Sequence, residues 1–289
     1  MVDYRSVFRP GLFQGKVVIV TGGGSGIGRC IAHELVSLGA QVALVGRTAA
    51  KLEAVQAELG GEAAARIYAG DIRDGARVHE IVAAVLADFG HLEGLVNCAG
   101  GQFPAALRDI SENGWNAVVR NNLTGTFLFS REAYVAWFET HGGAIVNIGA
   151  DFQGGMPGMG HSGAARGGQA NFTFAAAVEW GHAGVRVNLV QPGFIASSGL
   201  DRYPESAVGT LRNVAKHVPL KRHGTESEIA AMAVFLLSDA AAYINGAMFR
   251  VDGGLHHNTN TSFYTLPEGP GNEAYNGFPL YKRPAVLGP

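Results

Sequence analysis

Two residue types are missing from a long central reach of this chain. No lysine stands between Lys51 and Lys216, and no tyrosine between Tyr134 and Tyr203. Charge is scarce as well: 16% of the 289 residues are charged and the formal net charge is −2. That balance excludes a strongly basic face for nucleic acid or an anionic membrane. Only two cysteines occur, Cys30 in a predicted helix and Cys98 at a predicted strand end. Two distant thiols make a poor disulfide framework and point to a reducing compartment. No stretch reaches the ~18 apolar residues of a membrane span. The start, "MVDYRSVFRP", lacks the basic-then-apolar pattern of a secretory leader. The end, "VLGP", is not a peroxisomal address. These absences lead us to expect a cytoplasmic protein with no membrane and no nucleic-acid partner.

What is abundant is glycine, 42 residues, about twice the usual share of roughly 7%. The excess falls in turns and motifs, as in a fold with many close backbone approaches. "KVVIVTGG" (16–23) reads as a buried strand running into a tight turn, and "GRCIAHELVSLGA" as a helix stopped by Gly39. Strand-like and helical runs then alternate: "QVALVGR", "AAKLEAVQAELGG", "ARIYAGDI", "ARVHEIVAAVLADFG" and "LEGLVNCAGG". A long helical region through 116–138 leads to "GGAIVNIGA". Then come a helix over 167–181, "VRVNLVQPG", "ESEIAAMAVFLLS" and a closing "AMFRVDGG". Strict alternation implies an α/β fold: a doubly wound, mainly parallel seven-stranded sheet with helices on both faces. We expect one domain over 1–255 and a Gly/Pro/Asn-rich arm over 256–289, lying on the surface or across a subunit boundary.

"TGGGSGIG" places Thr21, Gly22, Ser25, Gly26, Ile27 and Gly28 between the first strand and the first helix. This spacing lets backbone approach a pyrophosphate at the helix N-terminus, where free N–H groups and the dipole favour anions. Together with "NCAG" (Asn97, Ala99, Gly100), "NNLTGT" and "QPG" (Pro192, Gly193, with Ile195 following), the motif resembles the short-chain dehydrogenase/reductase family over about residues 12–255. The resemblance implies a Rossmann-type sheet, an oxidoreductase domain over 1–255 with a nicotinamide cofactor and, commonly, tetramers. Asp71 and Ile72 match the family's adenine-contacting pair. A carboxylate ending strand two would bind a ribose 2′-hydroxyl; here Gly46 stands there and Arg47 follows. A guanidinium matches a phosphate in a bidentate fork, which favours NADP(H).

Most of that family works with an Asn, a Ser and a Tyr-x-x-x-Lys pair. Counting back from "AAAVEWG" puts Ser162 at the tyrosine position and Arg166 at the lysine position. Asn122 matches the family asparagine, and the family serine falls at Gly149 or Ala150, which carry no hydroxyl. Arg166 keeps a positive charge for the cofactor but releases no proton near neutrality. Ketone reduction creates a localised alkoxide that needs prompt protonation. Hydride addition to an enoyl thioester gives an enolate that needs preorganised donors more than a strong acid at the carbonyl.

"LVNCAGGQFPAALRDISENGWNAVVRNNLTGTF", "HGGAIVNI" and "HSGAAR" are similar to peroxisomal-type trans-2-enoyl-CoA reductases and, less closely, to mitochondrial 2,4-dienoyl-CoA reductases. The resemblance implies NADPH-dependent reduction of a carbon–carbon double bond in a CoA thioester. An acid-donating tyrosine of the dienoyl group falls here at Asp151, so Asp151, His161 or water become the candidate proton sources. Residues 199–222 are expected to form a variable loop over the substrate, with an excess of three positive charges suited to CoA phosphates. The segments 100–103 and 152–160 would line an acyl pocket. Two alternatives stay open: an alcohol, aldehyde or ketone oxidoreductase with an atypical donor, and a catalytically silent cofactor-binding protein. No metal is expected.

Overall fold

Strand β1 (Val17–Thr21) is buried along its whole length, and everything else is arranged around it. It pairs on one side with β2 (Gln41–Gly46) and on the other with β4 (Gly94–Asn97). In this computed structural model, which describes residues 3–258 and 265–288, all seven strands are parallel. Their order is β3-β2-β1-β4-β5-β6-β7. The remaining strands are β3 (Ala65–Ala69), β5 (Gly143–Ile148), β6 (Val185–Pro192) and β7 (Met248–Val251). Chain order reverses between β1 and β4, and at such a switch point a crevice opens at the carboxyl ends of the strands.

Helices cover both faces because right-handed crossovers wind from β1 toward one edge and then, from β4, toward the other. On one face α1 (Gly26–Ser37) packs against α9 (Glu226–Leu237), with Ile31, Leu35, Ile229 and Val234 in the core. Helix α2 (Ala49–Leu59) completes that side. The other face carries α3 (Gly75–Phe89), α4 (Glu112–Val119), α5 (Gly125–Ala133), the single turn α6 (Glu139–His141) and α7 (Gly160–Trp180). Val78, Ile81, Phe129 and Phe138 fill the core there. Helices α4, α5 and α6 run on without a break through two π-turns, Arg120–Thr124 and Tyr134–Phe138.

Three boundaries differ from the sequence reading. Helix α4 starts at Glu112 rather than at 116, because the Ser111 hydroxyl caps it by accepting from the Gly114 N–H at 3.1 Å. Helix α7 starts at Gly160 rather than at 167. Its glycines lower helix propensity, yet Gly168 is needed there: a Cβ would stand 2.7 Å from Leu123. The stretch expected as a loop over 199–222 contains α8 (Glu205–Asn213), seated by buried Leu211.

The arm runs over its own chain. Phe278 is 2% exposed and packs against the His33 ring at 4.9 Å. The Thr225 hydroxyl donates to the Tyr275 carbonyl at 2.5 Å, and Leu287 buries against Ala196 and Leu211.

Under this arm Glu34 is fully buried and accepts from the Ser6 hydroxyl at 2.9 Å and the Tyr4 hydroxyl at 3.3 Å. Burial lifts its carboxyl from 4.5 to about 7. An unfolded Glu34 releases its proton near 4.5 while the folded one holds it. The stability this contributes is therefore complete below about pH 4.5 and lost as pH rises through about 7. Unfolding of wild type and Glu34→Gln, compared at about pH 5 and about pH 8, should show the wild-type advantage shrinking at the higher pH by about 2 kcal/mol.

Candidate active site

A cleft of about 670 Å³ opens at the carboxyl ends of β1, β2, β4, β5 and β6. Its floor is backbone. Gly22 has φ +71°, and a Cβ there would lie 2.9 Å from Ala99 N and Cα. At Gly28 a Cβ would meet the Gly22 carbonyl oxygen at 2.5 Å. The turn is therefore closed to any side chain, and the N-terminus of α1 faces the cleft with Ser25, Gly26 and Ile27. This cradle fits the pyrophosphate of a dinucleotide. Arg47 lines the cleft beyond the end of β2, joined by Lys51 from α2, which the sequence reading did not single out. Ile72, Ala99, Gly100, Pro192, Gly193 and Ile195 also line it.

Three expected cofactor residues make side-chain contacts within the frame. The Thr21 hydroxyl donates to the Val96 carbonyl and accepts from the Cys98 and Ala99 amides at 3.1 Å, fastening β1 to the end of β4. The Asn97 amide donates to Ser130 and Asn147, both at 2.9 Å. Asp71 is clamped by Arg73 at 2.5 Å, which holds its carboxyl down at about 2.

The centre of the site is Arg166. Its guanidinium is buried; Nη1 donates to the Ile148 carbonyl at 2.9 Å and to Gln169 Oε1 at 3.1 Å, and Nε has no partner among the described residues. Desolvation pulls it down to about 10, so it remains a cation at neutral pH. A Cβ on Gly100 would stand 2.8 Å from both Arg166 Nη2 and Asn122 Oδ1; position 100 must be bare for the guanidinium to reach the cleft. Gln169 passes the contact on, donating to the Thr126 hydroxyl at 3.1 Å, which donates to the Asn122 carbonyl at 3.0 Å. That carbonyl lies in the first π-turn, a helix irregularity typical of functional sites. The Asn122 side chain does not line the cleft; it clasps Gly101, donating to its carbonyl at 2.8 Å and accepting from its amide at 3.0 Å.

The candidate proton sources divide. Ser162 is fully buried and outside the cleft lining; its hydroxyl donates to Gln102 Oε1 at 2.6 Å. His161 is also fully buried and outside the lining. It sits edge-on to Phe103 at 4.4 Å, both ring nitrogens without a partner among the described residues. It is thus not placed to hand a proton into the cleft. Asp151 does line the cleft, where it accepts from His256 Nδ1 at 2.7 Å.

The outer wall is formed by Phe103, Met156, Met159, Leu200, Arg202 and Tyr203. Of the loop cations, Arg202 lines the cleft. Arg222 is spent on Glu228 at 2.6 Å, and Arg212 on the Val286 carbonyl at 2.7 Å. Among the described residues no group of three or more His, Cys, Asp or Glu side chains is placed to hold a metal, and no helix is long and apolar enough to cross a membrane.

A family model described as Enoyl-(Acyl carrier protein) reductase matches residues 22–256. The probable 2,4-dienoyl-CoA reductase [(2E)-enoyl-CoA-producing] of Bacillus subtilis is 38% identical over 83% of this chain and 96% of its own. The 2-(S)-hydroxypropyl-CoM dehydrogenase 3 of Xanthobacter autotrophicus is 37% identical over 84% of this chain and 97% of its own. Among solved structures, the citronellol catabolism dehydrogenase (AtuB) of Pseudomonas aeruginosa PAO1 is 53% identical, with a TM-score of 0.78. That match covers 87% of this chain and 99% of the other.

Gly22→Ala tests the cradle. With φ +71° and backbone 2.9 Å away, the methyl group forces the turn apart, and fluorescence titration should find dinucleotide affinity at least about tenfold weaker.

Proposed function

The chain belongs to the short-chain dehydrogenase/reductase family and is an oxidoreductase of it, and from that premise we propose that it reduces the α,β-double bond of an enoyl-CoA or related acyl thioester with NADPH. The observation that carries this reading is the fate of the tyrosine position. Ser162 there is buried and its hydroxyl is engaged by Gln102, so the usual helix offers no free acid to a substrate carbonyl. A ketone's alkoxide would lack its proton donor at that point, whereas an enolate delocalised onto a thioester oxygen asks chiefly for fixed donors and positive charge. Arg166 provides that charge in a desolvated setting, where it acts at greater strength.

Hydride transfer, in this reading to the β-carbon, is the chemistry that a bound reduced nicotinamide supplies. The protein's own part is to hold and exclude. Asn122 fixes Gly101 and with it the loop that closes the cleft over Arg166. Phe103, Met156 and Met159 give an acyl chain an apolar wall. Arg202 at the cleft suits a CoA phosphate. Arg47 and Lys51, with no carboxylate at Gly46, suit the 2′-phosphate of NADP. Phe127, Phe174 and Val178 expose apolar surface on α5 and α7, 83% at Val178; we assign this face to assembly of a homotetramer in the cytoplasm.

A second reading, oxidation or reduction of an alcohol, aldehyde or ketone, is favoured by the names of the 53% identical structure and of the hydroxypropyl-CoM relative. One assay separates the two. NADPH absorbance followed with short and medium enoyl-CoAs should fall, and a ketone and aldehyde panel should be turned over far more slowly. Turnover of the panel alone would establish the second reading, and tight NADPH binding with no turnover at all a silent protein.

Arg47→Ala should weaken NADPH binding about tenfold, as loss of a charge-assisted phosphate pair does, and leave NADH binding within about twofold in the same titration. Equal loss for both cofactors would contradict the NADP assignment.

A further inference from the structure

One tyrosine does reach the cleft, and it comes from an element that carries none of the family motifs. Tyr203 follows the turn Leu200–Arg202 and precedes α8. Its hydroxyl accepts from Gln102 Nε2 at 2.7 Å, and Gln102 Oε1 in turn accepts from the buried Ser162 hydroxyl at 2.6 Å. This chain of bonds has a direction. Ser162 spends its proton on Gln102, and Gln102 spends its N–H on Tyr203. The one O–H at the end of the chain is that of the phenol. The acceptor before it is the Met159 thioether at 3.7 Å, a weak one, so this proton is held by no strong partner. Tyr203, Gln102 and Met159 all line the cleft.

The phenol is also held in place. The turn before it is pinned by Asp201 Oδ1, which accepts from the Val286 amide at 3.0 Å, and α8 by Arg212, which donates to the Val286 carbonyl at 2.7 Å. Tyr203 packs against the small cluster of Ala196, Leu211 and Leu287. Val286 and Leu287 lie beyond residue 256, where the family match ends. The arm thus braces the loop that carries the phenol.

We propose that Tyr203 is the acid of this enzyme, a tyrosine delivered from the substrate loop and oriented by the Ser162–Gln102 pair that occupies the place of the usual one. The proposal rests on the double-bond reduction set out above. In that reaction the β-carbon gains the hydride of the reduced nicotinamide. The Tyr203 O–H bond breaks as a C–H bond forms at the α-carbon, and the O–H electron pair stays on the phenolate oxygen. Gln102 Nε2–H stabilises that phenolate until water from the open cleft returns a proton. Ser162 is then a positioning residue: it fixes which end of the Gln102 amide faces the phenol. Asp151 and His161 have no part in the step.

The test is steady-state kinetics of the full chain with NADPH and an enoyl-CoA, for wild type, Tyr203→Phe and Gln102→Leu. Circular dichroism and NADPH affinity are measured on each protein. Tyr203→Phe keeps the ring in its cluster and should fold and bind NADPH as wild type does. Its kcat should fall by about 10²-fold or more, the usual worth of a general acid, with KM within about twofold. Gln102→Leu should lose about tenfold in kcat and again spare NADPH binding. A Tyr203→Phe enzyme with wild-type kcat overturns the assignment and leaves the double-bond reading standing. Wild-type enzyme that ignores enoyl thioesters but reduces a ketone or aldehyde overturns that reading instead, and the same comparison on that substrate then decides for Tyr203. A wild type inert toward all of them overturns both.

Discussion

A guanidinium is buried where the fold offers it oxygens but no carboxylate, and the rest of the site is built around that constraint. Arg166 meets the carbonyl at the end of β5 and the amide oxygen of Gln169. A buried charge must be met by polar partners or the fold bears the cost. Two partners meet it directly, the end of β5 and the next turn of α7, and the second is held in turn by the Thr126 hydroxyl, itself bonded to the π-turn carbonyl of Asn122. Even Gly100 is part of the answer, since any side chain there would strike the guanidinium. Asn122, usually read as catalytic, thus stands through its backbone carbonyl in the chain that holds a partner of the cation.

That cation also explains why the site needs a proton from elsewhere. Arginine holds charge and offers several donors but does not release a proton near neutrality. With Ser162 turned toward Gln102, the helix that would usually carry the acid is left with a fixed positive charge and an orienting hydroxyl. The polar chain then runs outward, from α7 through Gln102 to the loop before α8. The loop itself depends on residues near the C-terminus for its position. A change in the chemistry at one helix is thereby connected to an arm that packs across its own chain.

Much of this was legible in the sequence. The β-branched run before "TGGGSGIG", the strand and helix periodicities and the spacing of four motifs gave the sheet and the cofactor crevice. Counting placed Ser162 and Arg166, and the segment 100–103 does line the cleft. What could not be read was direction. Nothing local says that Thr21 and Asn97 make frame contacts, or that His161 is buried behind Phe103, because those outcomes are set by neighbours distant in the chain. Helix α7 begins early because its glycines serve close packing against α4 and the π-turn, a tertiary effect that outweighs propensity. Tyr203 had a signal: it is the only tyrosine in 199–222. Read for its charges, that stretch suggested a phosphate partner and hid a phenol.

The most direct measurement of the account is where the label goes. The protein is given NADPH carrying deuterium at the transferable position together with a trans-2-enoyl-CoA, and the acyl product is examined by NMR. The account predicts deuterium on the β-carbon of a saturated thioester, with the α-carbon hydrogen drawn from solvent. Deuterium on a carbinol carbon, from a carbonyl substrate that the enzyme prefers, would contradict it.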